Sequence, residues 1–134
     1  MRILIASSEL HPYSKTGGLA DMVGALGKYL ARAGHRVGIV TPYYRHLRSH
    51  SPPFPILKWA MDLPVGSRVL SARVRYHRPA PRLTIYFIEQ PFQFDRDGLY
   101  GDEAGNYPDN AERFAFFSKA AVHLARYLPW QPEI

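Results

Sequence analysis

The sequence predicts an α/β domain built on a mainly parallel sheet, and three observations predict it. "RILIAS" (residues 2–7) is a short apolar run of the kind that fills a strand buried on both faces. A polar loop, an apolar row at helical spacing and a second apolar run, "HRVGIVTP" (residues 35–42), follow it. Strand, helix and strand in that order make a βαβ unit, which closes right-handed with its strands parallel. Further on, "RVLSARVRYH" and "RLTIYFIEQ" stand as two strand-like runs joined by "RPAPR", an antiparallel hairpin inserted in the same sheet.

Each element has its own signal. After the first strand comes a loop holding Pro12 and the pair Gly17-Gly18. Apolar residues then recur at Leu19, Met22, Val23, Leu26, Leu30 and Ala33, so the spacing predicts a helix with these residues inward. Gly34 stands where a left-handed C-terminal cap belongs. "SHSPPFPILKW" (residues 49–59) is proline-rich and is read as irregular. In the first hairpin strand Leu70, Ala72, Val74 and Tyr76 alternate with Ser71, Arg73 and Arg75, which predicts one buried and one wet face. The second is more apolar and belongs deeper. Residues from Pro91 to Asn110 form a loop longer than the about 12–15 residues beyond which loops are uncommon in compact domains, and such loops are functional or mobile. Asp109 is placed to N-cap a last helix with Glu112 as its capping-box partner. Its inward stripe is expected at Phe114, Phe117, Ala121, Leu124, Ala125 and Leu128, and Pro129 ends it. "WQPEI" then reads as the approach to another strand, so the chain is expected to be the N-terminal part of a larger protein.

Composition narrows the class. Apolar residues at 46% and charged residues at 21% describe a globular chain, not a disordered one. There is no cysteine, which excludes disulfides and thiolate metal sites and suits a reducing cytoplasm, the expected location. No apolar run reaches the roughly 20 residues that cross a bilayer, so no membrane role is expected. A net charge of +6 favours anionic partners. Arg68, Arg73, Arg75, Arg78 and Arg82 gather around the hairpin and are read as solvated. They accompany no zinc-finger, RNA-binding or basic-zipper pattern, so nucleic acid is not the expected partner.

The chemistry lies between the first strand and its helix. That loop occupies the carboxyl edge of the sheet, the usual place for ligands. Gly17 and Gly18 let an anion approach the backbone, the first-turn N–H groups lack helical partners, and the helix dipole adds partial positive charge. Lys15 brings a full charge to the same spot. The loop lacks both the G-x-G-x-x-G fingerprint and the G-x-x-x-x-G-K-[ST] phosphate loop, and no acidic residue ends the second strand at Thr41-Pro42. A dinucleotide oxidoreductase and a P-loop NTPase are therefore disfavoured. Two readings stay open on the residues alone: a phosphate site, or a glycine turn that only allows close packing.

At these residues the chain resembles bacterial glycogen synthases and plant starch synthases, ADP-glucose-using glucosyltransferases of the GT-B fold. "KTGGLADMVGALGKYLARAGHRVGIVTPYY" is similar to that family's N-terminal signature, and "SSELHPYSK" and "FDRDGLYGDEAGNYPDNAERFAFFSKAA" fit as well. The resemblance implies that residues 1–134 are an incomplete Rossmann-like N-terminal domain, the second GT-B domain being absent. It implies retaining transfer of glucose from ADP-glucose to the non-reducing end of an α-1,4-glucan, with no cofactor and no metal. By the same resemblance Lys15 and Asp21 are the catalytic candidates, Lys15 meeting the donor phosphates and Asp21 the sugar. Thr16, Gly17, Gly18 and Tyr100 complete the substrate-binding set, with Tyr100 lining the sugar side of the cleft. The family's cleft histidine and its second lysine, arginine and acidic residue match nothing in residues 1–134, so this stretch alone is expected to be inactive. Unpaired sheet edge leads to an expectation of self-association. The alternatives are another GT-B enzyme using a UDP- or GDP-sugar, such as a sucrose-synthase-like protein, or a non-catalytic glucan-binding module.

Overall fold

The structure is a computed structural model that describes all 134 residues. Strands β1 (Arg2–Ala6), β2 (Arg36–Pro42), β3 (Ile56–Val65), β4 (Arg68–Ala80) and β5 (Leu83–Glu89) form one sheet in the order β1-β2-β5-β4-β3. β1 pairs parallel with β2 and β2 with β5, while β4 runs antiparallel to both β5 and β3. Only β4 therefore opposes the common strand direction. Helix α1 (Gly18–Arg32) joins β1 to β2, the single turn α2 (Pro91–Phe94) opens the long loop, and α3 (Asn110–Tyr127) follows it.

Two apolar layers sandwich the sheet. Along β5, Leu83, Ile85 and Phe87 join Val37 and Ile39 of β2 beneath α1, whereas Tyr86 and Ile88 join Val40 beneath α3. The period of two in side-chain direction lets a continuous apolar run serve both layers, as a buried parallel strand requires. No helix is long and apolar enough to cross a membrane.

Helix α1 does not turn its large residues inward. Its buried face is Ala20, Val23, Gly24, Gly27 and Ala31, and Leu19, Met22 and Leu26 are exposed. Leu30 is half-buried and Ala33 is outside. Close approach decides the orientation: a Cβ on Gly27 would lie 2.5 Å from Ile39 Cδ1, and one on Gly24 would lie 3.0 Å from the His11 carbonyl oxygen. A face of small residues lets the helix settle onto the sheet and its loop, so that of the predicted stripe only Val23 is buried and Leu30 partly so. Gly34 does take the left-handed C-terminal conformation, at φ +97°.

Four other expectations are corrected. Ile56–Trp59, read as irregular, begins β3, which tolerates Pro64 because it is the sheet's edge strand. No capping box forms at α3. Asp109 makes no side-chain cap bond, and its carboxylate instead receives two bonds from Arg96 at 2.7 and 2.6 Å, while Glu112 pairs with Arg68. The inward stripe of α3 is Arg113, Phe116, Phe117, Ala120, Ala121 and Leu124, with Phe114 and Ala125 only half-buried. Nor are all the hairpin arginines solvated. Arg75 binds the buried Glu89 carboxylate at 2.6 Å and Arg73 binds it at 3.0 Å. At the chain's end, Ile134 accepts the Leu4 N–H at 2.8 Å and Glu133 donates to Arg2 O at 2.7 Å, along the outer edge of β1.

Candidate functional site

The carboxyl ends of β1, β2 and β5 bring three loops together: residues 7–17, Tyr43-Tyr44 and residues 90–110. The first folds back on itself through reciprocal backbone bonds between Leu10 and Ser14 at 2.9 and 2.8 Å. It is tied to α1 by the His11 N–H, which donates to Ala20 O at 3.1 Å. This sets Lys15 beside the first turn of the helix. Its ammonium donates to Asp21 Oδ2 at 2.7 Å, and His11 Nδ1 lies 3.8 Å from the other carboxylate oxygen. Lys15 and Asp21 are about half exposed, and the lysine's hydrogen bond holds the Asp21 carboxyl below its ordinary value.

Gly17 occupies the N-cap position with no side-chain cap, so the first-turn N–H groups beyond it keep their donors. A Cβ built on either Gly17 or Gly18 meets nothing within 4 Å. The glycines therefore do not serve close packing of helix and strand. Open space beside the backbone, a helix start and an ammonium group converge there, and that combination suits an oxyanion.

One donor expected to face an anion is already used. Glu9, 4% exposed, accepts the Thr16 N–H at 2.9 Å and the Gly17 N–H at 3.3 Å on Oε2. On Oε1 it accepts the Thr16 hydroxyl at 2.5 Å and the Tyr100 phenol at 2.8 Å. Burial raises the Glu9 carboxyl, but these bonds outweigh it and the net shift is downward. Backbone donors for a ligand thus begin at Gly18, one residue later than the glycine pair suggests.

Tyr100 comes to the same edge from the far loop. Its hydroxyl also lies 2.7 Å from that of Ser8, and burial together with the Glu9 hydrogen bond pushes the phenol up to about 12. Beside it is a depression of about 420 Å³ lined by Ser8, Tyr100, Asn106, Asn110 and Phe114. Hydroxyls, amides and one aromatic face are groups that suit a sugar. The six sequence candidates thus fall into two linked groups, Lys15 with Asp21, and Thr16, Gly17 and Tyr100 around Glu9, with Gly18 between them. No group of three or more His, Asp or Glu side chains is assembled that could hold a metal ion. Sequence reading missed Glu9 and Ser8. Their partners stand up to 92 residues away, and no local pattern marks them.

A mainly parallel sheet with α1 crossing between its first two strands, and an open helix start at its carboxyl edge, defines a Rossmann-like α/β domain. The chain belongs to the starch synthase catalytic domain family, whose model matches residues 2–134. It is 41% identical over 134 residues to a glycogen synthase of Syntrophotalea carbinolica and 40% identical over 128 residues to one of Koribacter versatilis. Those alignments take 100% and 96% of this chain, and it spans only 28% and 26% of the two relatives. Its fold matches the catalytic domain of starch synthase IV from Arabidopsis thaliana, bound to ADP and acarbose. The TM-score is 0.76 at 30% identity, covering 93% of this chain and 25% of that one.

Proposed function

We propose that the chain is the N-terminal part of a glucosyltransferase that moves glucose from ADP-glucose to the 4-hydroxyl at the non-reducing end of an α-1,4-glucan, with retention. One observation carries this reading: the open cradle at Gly17 and Gly18 beside the Lys15 ammonium. Family membership supports the class of reaction, and the ADP held by the starch synthase IV domain supports the donor.

The roles follow from charge. As the bond from glucose to ADP breaks, negative charge grows on the leaving phosphate. Lys15 and the N–H groups from Gly18 onward meet it there, already oriented by the loop and the helix. Groups of this kind lower a barrier because they need no reorganisation when the charge appears. Asp21 holds the ammonium over the helix start and stands toward the sugar. Tyr100 presents its phenol from the facing loop. Thr16 and Gly17 serve as framework, locked on Glu9, and leave the glycine backbone open to the diphosphate.

Residues 1–134 alone supply one wall of a two-domain cleft and do not turn over substrate. The deciding experiment assays the complete gene product with ADP-glucose, UDP-glucose and GDP-glucose on a glucan primer. Transfer from ADP-glucose is expected. Preference for another nucleotide would assign a different GT-B donor. Glucan binding without nucleotide binding would leave a non-catalytic module.

A further inference from the structure

We propose that Arg113 is a positioning residue for Tyr100: a buried guanidinium that pins the loop backbone from which the phenol reaches Glu9. The proposal rests on the reading of this edge as the sugar-nucleotide site.

Arg113 is 0% exposed and has no carboxylate partner, a costly state for a cation. Asp109, close by, is occupied by Arg96. The Arg113 charge rests instead among ring faces, 4.9 Å from the centre of Tyr107, 5.3 Å from Phe114 and 5.4 Å from Phe94. A residue needed only to fill the core beside Phe116 and Phe117 would be apolar. What the guanidinium supplies is a rigid fork of donors. Nε donates to Gln93 O at 2.7 Å, and Nη1 donates to Leu99 O and Asn110 Oδ1, both at 2.9 Å. These three points are the start, the middle and the end of the long loop.

The middle point is the informative one. Leu99 O belongs to the peptide plane that precedes Tyr100. The plane that follows it is held too, because Tyr100 O accepts Asn110 Nδ2 at 2.8 Å and the Tyr107 N–H at 2.9 Å. With both planes fixed, φ and ψ of Tyr100 are fixed, and the phenol has only its own side-chain torsions left. It reaches Glu9, and Glu9 holds Thr16 and Gly17. A contiguous set of bonds thus runs from a buried cation in α3 to the glycine pair. A lysine has no planar fork with which to serve two separated carbonyls.

The test uses the complete gene product and two readouts. In the first, Arg113→Lys is combined with Tyr100→Phe in a double-mutant cycle. Arg113→Lys is expected to lower kcat at least tenfold with donor KM within twofold, and to have less than a twofold effect once Tyr100 is Phe. Losses that simply multiply overturn the proposal. In the second, 3-fluorotyrosine is incorporated and the Tyr100 signal is identified by its loss in Tyr100→Phe. Arg113→Lys is expected to broaden or split that signal and leave the others unmoved. An unchanged Tyr100 signal in a protein of lower Tm would reveal a structural role only and overturn the proposal. If Arg113→Lys does not fold, Asn110→Ala removes the bond to Tyr100 O and carries the same expectations. If the wild type does not use ADP-glucose, the functional reading fails, and the fluorine signal still decides the role of Arg113.

Discussion

Tyr100 donates its phenol to the Glu9 carboxylate at 2.8 Å, across 91 residues of chain. That bond joins the loop after β1 to the loop before α3. It completes a set of four donors on one carboxylate, two of them backbone N–H groups of the glycine loop. The glycine loop is therefore held from behind by an anion of the protein's own, and Lys15 stands beside the first turn of the helix that follows.

Lys15→Ala in the complete gene product is expected to lower kcat by about 10²–10³, the usual cost of removing one preorganised donor from a developing oxyanion. Steady-state kinetics with ADP-glucose checks this. An unchanged kcat with a raised KM would make the lysine a uniform binder. Lys15→Arg keeps the charge but misplaces it, and is expected to recover only part of the rate.

Gly18→Ala separates ligand from fold. Nothing lies within 4 Å of the added methyl, so stability should move by no more than about 0.5 kcal/mol. The methyl stands in the space assigned to the diphosphate, and donor affinity and rate are expected to fall. Thermal unfolding and donor titration on the same sample test both halves. Full activity in this variant would remove the anion from the glycine pair.

Glu9→Gln turns an amide N–H₂ toward two existing donors. Leaving buried hydrogen-bonding groups of this kind unpaired costs about 1–3 kcal/mol, several degrees in Tm. The pH dependence has a definite sign. The folded pKa of Glu9 lies below its ordinary 4.5, so its contribution is full above that value and lost as pH falls through the depressed one. Wild-type Tm should therefore drop more steeply on acidification than that of Glu9→Gln, and parallel curves would contradict the assignment.

Gly38→Ala tests the packing of β2 against the far face. The new Cβ would stand 2.9 Å from both Leu4 Cδ1 and Trp130 Cζ2 and 3.1 Å from Tyr86 Cε2. The two rings are linked by the Trp130 indole N–H on the Tyr86 hydroxyl at 3.0 Å and yield little. Overpacking of this kind costs about 1–3 kcal/mol, read as a lower midpoint in urea with an unchanged slope.

The βαβ unit, the hairpin, the Gly34 cap and the position of Lys15 were all legible in the sequence. Each depends on short-range signals: apolar period, a glycine at a helix end, a loop at the carboxyl edge of a strand. α1 was read as a helix with Leu19, Met22 and Leu26 wrongly placed inward, because Gly27 faces Ile39 of the sheet and Gly24 faces the loop at His11 for closeness, and large-residue spacing does not register closeness. Glu9 and Arg113 lie in strings that resemble the family but carried no sign of their own role, since a lone acid in a loop and a basic residue on an apolar stripe look incidental until their partners are known. The sequence by itself determined which segments become strand and helix, and that a lysine and a glycine pair stand where the first crossover helix begins. Only the tertiary structure decided which carboxylate locks that loop and which cation holds Tyr100 against it. The Tyr100 bond to Glu9 joins residues 91 apart in the chain, and its geometry exists only once the sheet has brought its loops to a common edge.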